Sequence, residues 1–330
     1  MKTVLHEYFR PTKAEFEKFW SDALITFDAS SLLNLYGYSS DTKKELVKAY
    51  ETFTKRIILP YQFALEYSRN RAKVISNQIR NFQKAENDLN ELLKKHKVKQ
   101  EQPYLSKASV RNVEAILEEL DEGRSKMEKS MASDEDSDLL LKLFDGKIGG
   151  EPTAAELDSL YNEGKTRYGA LIPPGFSDVK EKGEPQCYGD FIAWKQIMAI
   201  AADKKKDFIL VTDDVKEDWW HYESSRMVSP LPALRKEFRA VTGQSIWFYT
   251  TEGFLRAAKE FSQVKVGDAA LDEVTAALDT QREEHKQRLF KILSPPDKTL
   301  GPQFLKWLDA PDTKKKSAPP EDSDPEDEET

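Results

Sequence analysis

The stretch DFILVTDDVKEDWW (207–220) decides the fold. Its apolar core, Phe208 to Val211, is short and does not alternate with polar residues, which is the pattern of a strand covered on both faces. The run then breaks into two acids, Asp213 and Asp214. Immediately upstream, DFIAWKQIMAIAADKK (190–205) reads as an amphipathic helix whose first residue is an acid. Downstream, PALRKEFRAVTG (232–243) reads as helix, SIWFYT (245–250) as a further strand and TEGFLRAAKEF (251–261) as helix. Helices and strands taking turns in this way predict a parallel sheet with helices on both faces.

The N-terminal part repeats the motif. ALITFD (23–28) is a short apolar run ending in an acid. Before it, KAEFEKFWSD (13–22) predicts a helix with Phe16, Phe19 and Trp20 inward. After it, SSLLNLY and DTKKELVKAYETFTK (41–55) are helical, the second opening on an Asp cap, and RIILP (56–60) is a second strand closed by Pro60. From Tyr61 to about His96 runs a long polar helix whose apolar stripe (Ile75, Ile79, Phe82, Leu89, Leu92, Leu93) recurs at three- and four-residue steps. SVRNVEAILEELDEGRSKMEK would fold back on it, with QPYLS as the turn, making a helical hairpin inserted in an α/β domain. Residues 133–189 are less regular and end in LIPPGFSDVKEKGEPQCYG, a loop of about twenty residues, long enough to be either functional or disordered.

Composition excludes several classes. The 330 residues are 39% hydrophobic, 33% charged and 11% aromatic, which leaves ample material for a core and excludes bulk disorder. The longest weakly charged stretch, Ala23 to Ser40, is interrupted by Asp28 and too polar to span a bilayer. The opening MKTVLHEYFRP lacks the apolar region of a secretory signal. One cysteine, Cys187, allows no internal disulfide and suits a cytoplasmic location. The four histidines are scattered, outside any H-E-x-x-H pattern, and no Walker loop is present. Charge is uneven: 50 − 58 = −8 overall, of which Pro311 to Thr330 carry −5 from eight acids and three lysines. That segment is expected to be a disordered, solvated acidic tail, or alternatively a decoy for a basic groove.

In open parallel sheets chemistry lies beyond the carboxyl ends of the strands. Asp28 and Asp214 stand there, and Glu66 and Asp190 lie near the starts of two helices. Four carboxylates in one cleft repel unless a cation sits among them. Hard divalent ions such as Mg²⁺ or Mn²⁺ take oxygen ligands, lower the pKa of bound water and stabilise a leaving oxygen. Each acid also has a plainer reading. Asp28 and Asp190 would serve as helix caps, Glu66 as a surface residue, and Asp213, Asp214 and Asp218 as turn formers.

The order FDASSLLNLY, ILPYQFALEYSRNR, YGDFIAWKQI, ILVTDDVKEDWW resembles the PIN-like nuclease family. More closely, it looks like the large bacterial PIN-like branch with a helical insertion between the second and third acids. The lead-in EYFRPTKAEFEKFW and the loop RYGALIPPGFSDVKEKG are similar to that branch too, so the resemblance covers roughly residues 6 to 260. It implies an α/β PIN-like parallel-sheet sandwich over 1–260, with an insertion at about 70–185 that includes a hairpin at about 70–130. A helical extension (261–310) and the acidic tail (311–330) would follow. The resemblance further implies an Mg²⁺- or Mn²⁺-dependent endonuclease, RNA ahead of DNA as substrate, acting by attack of activated water without a covalent intermediate. Many relatives are toxins or phage-defence effectors, which implies partner control; a homo-oligomer is allowed and a membrane is not involved. Matched to the family's acids, Asp28, Glu66, Asp190 and Asp214 would bind metal and catalyse, with Asp213 and Asp218 as further metal-binding acids. The family often has a neutral residue where Asp213 stands, so which of the pair ligates stays open. Ser30 matches a small polar position near the site.

Nucleic-acid contacts would come from Ser30, from Arg69, Arg71 and Lys73 on the helix of Glu66, from Arg167, from Lys180 and Lys182 in the long loop, and from Lys195 and Lys216. Arg80, Lys84 and Tyr168 extend these surfaces. Trp219 and Trp220 would stack on a base or, more simply, pack against the sheet edge, while Trp194 belongs to the core. Two other classes compete. In one, the chain is a catalytically silent binding module that docks a protein or nucleic acid through its hairpin. In the other it is an aspartyl-phosphate phosphatase, disfavoured because Ser30 stands where a second Asp is required.

Overall fold

The computed structural model describes residues 1–97, 105–224 and 226–293. Most of the turn QPYLS, the end of the extension (294–310) and the acidic tail (311–330) lie outside the described residues. Three strands form a parallel sheet in the order β1 (Leu24–Phe27), β2 (Phe208–Val211), β5 (Ile246–Tyr249). Between the last two, β3 (Trp220–Glu223) and β4 (Arg226–Pro230) pair as an antiparallel ribbon with an irregularity at His221/Tyr222. The helices among the described residues are α1 (Lys13–Asp22), α2 (Ala29–Leu33), α3 (Ser40–Glu51), α4 (Tyr61–Lys97), α5 (Lys107–Ser130), α6 (Glu135–Phe144), α7 (Ala154–Gly169), α8 (Val179–Lys182), α9 (Gly189–Lys204), α10 (Pro232–Thr242), α11 (Thr251–Ser262) and α12 (Asp268–Leu293).

Residue β2 by residue, the central strand is buried throughout, and this is why FILV shows no alternation. The register aligns Thr26, Leu210 and Phe248 in one row and Phe27, Val211 and Tyr249 in the next. Side chains of successive rows leave opposite faces. Phe248 meets Trp194 of α9 edge-on, while Phe27 packs on Tyr50 of α3 and Phe254 of α11. Helices therefore cover both faces, as the sequence predicts. Since all three strands run the same way and in register, their carboxyl ends open on one edge of the sheet. Asp28, the segment Thr212–Asp214 and Thr250 all lie there.

Three sequence expectations need correction. RIILP forms no regular strand: Ile57 bridges Ile25, and Leu59 bridges Ile148, before Pro60 hands the chain to α4. One bridging pair at each site shields the open edge of β1 without extending the sheet. The cap of α3 is Ser39, whose hydroxyl accepts from Thr42 N, rather than Asp41. The β3–β4 ribbon has no counterpart in the sequence reading, because its strands are short and no hairpin turn signal joins them.

The long helix and the fold-back are both present. α4 runs 37 residues and α5 packs along it. Phe82 fits against Gly123 so closely that a Cβ at Gly123 would collide with its ring. At the base of the hairpin, Tyr36 donates to Asp134 at 2.6 Å, and Arg71 pairs with the same carboxylate at 2.8 Å. α12 lies on α3 and α11, held by Glu273, which accepts from Ser39 and Thr42.

Candidate active site

Asp28 follows β1 and occupies the position before α2, yet its side chain makes no capping bond. Its Oδ2 instead accepts from Ser30 Oγ at 2.6 Å and from Thr212 Oγ1 at 2.8 Å, which ties the ends of β1 and β2 together. Burial, with Asp214 nearby, raises its pKa despite these bonds. Glu66 projects from the second turn of α4 and accepts from Gln62 Nε2 at 2.7 Å. The Gln62 backbone N–H reaches Gln196 Oε1 at 2.9 Å, fastening α4 to α9. The Glu66 carboxylate rests on Gly189, where any Cβ would collide with it. Burial and the charge of Asp28 raise its pKa.

Asp190 lies inside the first turn of α9 and does not cap it. It accepts one long bond, 3.4 Å, from Trp219 Nε1. Burial lifts its pKa well above the ordinary value, against the pull of the Lys216 and Lys182 ammonium groups. The loop crossing above it needs Gly175, which has φ +88° and would place a Cβ against Asp190 and the Tyr168 hydroxyl. Asp218 secures that loop by accepting from Gly175 N (2.9 Å), Ser177 N (3.2 Å) and Ser177 Oγ (2.6 Å). Its other oxygen is buried without a partner, and burial raises its pKa to about 6.

Asp213 and Asp214 diverge. Asp213 turns away from the other acids, accepting from Thr251 N (2.8 Å), Thr251 Oγ1 (2.7 Å) and Asn34 Nδ2 (2.9 Å). Asp214 faces them, and both of its oxygens are held by Lys216, through the backbone N–H at 3.0 Å and Nζ at 2.6 Å. Lys216 Nζ also reaches Asp178 Oδ1 at 2.7 Å, and Asp178 Oδ2 meets Lys182 Nζ at 2.5 Å. Burial works against the Asp178 carboxylate, but these two ammonium groups outweigh it and hold its pKa below the ordinary value.

Among the described residues no three His, Cys, Asp or Glu side chains are arranged to hold a metal ion as they stand. The donor chemistry nevertheless fits a hard divalent cation. Asp28, Glu66 and Asp190 are crowded, disfavoured as anions, and bonded only to hydroxyls, an amide and an indole. A divalent cation would favour the charged form of all three further than Lys182 and Lys216 do.

A family model described as a PIN like domain matches residues 24–234. The chain belongs to the PIN-like domain family. Domains of this family are in general nucleases, and they usually use divalent metals. No curated protein and no solved structure matches the chain. No helix among the described residues is long and apolar enough to cross a membrane.

The remaining expected residues of the PIN-like domain separate into two groups. Lys182 and Lys216 stand among the acids, and Ser30 orients Asp28, its hydroxyl also accepting from Asp213 N at 3.2 Å. Arg69 and Lys73 are exposed on α4 and Lys180 on α8. Others are engaged elsewhere. Arg71 pairs with Asp134. Arg167 grips Glu237 with both terminal nitrogens, donates to Pro173 O and lies over the Phe191 ring at 5.1 Å. Lys195 pairs with Glu163 at 3.1 Å. Trp219 and Trp220 are buried, Trp220 donating to Asp214 O at 2.6 Å, so packing rather than base stacking describes both. Sequence reasoning missed Gln62, Thr212, Asp178, Gly175 and Gly189. Asp178, Gly175 and Gly189 carried a signal, their place in the long loop LIPPGFSDVKEKGEPQCYG.

Proposed function

We propose that this PIN-like domain is a divalent-metal-dependent endonuclease that hydrolyses phosphodiester bonds, with RNA as its substrate. One observation supports the reading: Glu66 lies beside Asp28 and against Gly189, the neighbour of Asp190, so acids from three distant chain segments come near one another, each hydrogen-bonded by neutral donors. Lys216 and Lys182 offset part of this like charge, but neither hydrogen-bonds any of the three acids, and burial still raises the pKa of each. Mg²⁺ or Mn²⁺ held by these three acids would activate water for attack at phosphorus and neutralise charge there.

The chain's own residues do the rest. Ser30 and Thr212 fix the Asp28 carboxylate, Gln62 fixes Glu66, and Trp219 both orients Asp190 and walls it from water. Lys182 and Lys216 bring positive charge to the phosphate, and Arg69, Lys73 and Lys180 offer exposed charges to the flanking strand. The preference for RNA follows the family resemblance, as do a toxin or phage-defence role in the cytoplasm and restraint by a protein partner. A silent docking module would use the hairpin, on which α5 buries no residue fully. It supplies no reason for bringing three acids together from distant segments of the chain.

The test compares the wild-type chain with Asp28→Asn on labelled single-stranded RNA, duplex RNA and DNA, with Mg²⁺ or Mn²⁺. Metal-dependent cutting of RNA that Asp28→Asn abolishes is the expected result. No cutting by the wild type, or equal cutting by the variant, sinks the assignment.

A further inference from the structure

We infer that Asp214 serves Lys216 rather than a metal ion, and that Lys216, held between Asp214 and Asp178, is a resident cation of the site that contacts the substrate phosphate. This rests on the nuclease reading above and divides the four family acids into three that hold an ion and one that holds a lysine.

The geometry of Asp214 argues for the division. Both of its oxygens are taken by one residue two positions along, and Asp214 N is itself anchored on Thr212 Oγ1 at 3.1 Å. Lys216 is equally committed, because its second acceptor is Asp178, whose side chain is 3% exposed. Pulling the ammonium away so that Asp214 could ligate an ion would strip a buried carboxylate of one of its two cations. Removing one partner of a buried pair is strongly unfavourable. Asp28, Glu66 and Asp190 are hydrogen-bonded by neutral donors, so an incoming ion breaks no direct ion pair there.

The same geometry argues for a role toward substrate. An ammonium has three N–H donors, and Lys216 Nζ spends two on Asp214 and Asp178. A part of its side chain remains accessible, 21%. Its ammonium lies directly between Asp178 at 2.7 Å and Asp214 at 2.6 Å. A phosphate drawn to an ion on the three acids would find a fixed positive group beside it, already desolvated and oriented. Asp178 touches no substrate in this scheme. It is a positioning residue that aims Lys216 with one oxygen and Lys182 with the other.

Calorimetric titration of the full-length chain with Mn²⁺ tests the division. Asp28→Asn, Glu66→Gln and Asp190→Asn should each weaken Mn²⁺ binding by about tenfold or more, while Asp214→Asn and Lys216→Gln leave it within about threefold. Binding of a labelled, cleavage-resistant 2′-O-methyl oligouridine in Ca²⁺ should fall in Lys216→Gln and Asp178→Asn. The slope of log affinity against log salt should drop by about 0.7 in Lys216→Gln. Lys216→Arg, which keeps the charge, should restore part of the binding and serves where Lys216→Gln does not fold. Loss of Mn²⁺ binding in Asp214→Asn, a tenfold tightening in Lys216→Gln, or unchanged oligonucleotide binding in both Lys216→Gln and Asp178→Asn overturns the inference alone. A wild-type chain that binds no divalent ion overturns the nuclease reading and this inference with it.

Discussion

The Asp213 carboxylate sits on the first residue of α11, taking the Thr251 backbone N–H on one oxygen and the Thr251 hydroxyl on the other, at 2.8 and 2.7 Å. Its neighbour Asp214 points to the acids. One residue of chain thus divides helix capping from site chemistry. Asp213 also receives Asn34, which in turn accepts from Gln281 of α12, so the strand end is tied to the C-terminal helix. Asp213→Ala is expected to cost about 2 kcal/mol because Thr251 and Asn34 lose their acceptor. Urea unfolding would measure this, and Mn²⁺ affinity should stay unchanged.

Gly189 controls the placement of Glu66. In Gly189→Ala the new methyl must displace the carboxylate, since nothing else lies so close. A shift of about 1 Å in a reacting group costs on the order of 100-fold in rate. Cleavage should fall by that order with the unfolding midpoint little changed. Gly150→Ala, where a Cβ meets nothing within 4 Å, is the matched control and should cleave normally.

Asp218 should make stability depend on pH. Its folded pKa of about 6 lies above the ordinary 3.8, so the folded protein holds this proton more tightly than the unfolded chain. Stability is then lost as pH rises from about 4 through 6, on the order of 3 kcal/mol for this group. Asp218→Asn keeps an acceptor for Gly175 and Ser177 and does not ionise. The variant should therefore gain on the wild type across that window, and denaturation curves at pH 4, 5, 6 and 7 would reveal it. A difference between the two proteins that is flat with pH contradicts the prediction.

The arginines and lysines expected to bind nucleic acid should separate by experiment. Arg167→Ala breaks a largely buried pair with Glu237 and should cost about 3 kcal/mol. Arg71→Ala loses a pair in which the arginine is 42% exposed, worth under about 1 kcal/mol after screening. Arg69→Ala with Lys73→Ala should leave stability unchanged but flatten the salt dependence of RNA binding by about 1.4 in slope. Melting curves and binding titrations at several salt concentrations distinguish the two behaviours.

The parallel sheet, its helical layers and the long hairpin were legible because apolar runs and helical periodicity are local. FILV, LITF and IWFY each announce a buried strand without help from the rest of the chain. The convergence of Asp28 and Asp214 followed from the same local fact, since acids at the ends of parallel strands share an edge. What stayed hidden depends on orientation or on contacts distant in sequence. The opposite facing of Asp213 and Asp214 is set by Thr251, Asn34 and Lys216, and nothing in TDD encodes it. Arg167 looked like part of a phosphate wall because its partner Glu237 stands 70 residues away. RIILP has strand propensity, but only isolated bridges formed where it meets β1 and Ile148.

The central strand of the sheet is also one of the last to be made. β1 has no regular neighbour until Phe208–Val211 inserts beside it, and β2 lacks its other neighbour until Ile246–Tyr249 follows. A ribosome therefore extrudes Asp28, then Glu66, then the entire hairpin, while no pocket joins them. Asp28 and Glu66 gain their partner Asp190 and the strand that fixes Asp214 only when the second half of the chain has been made.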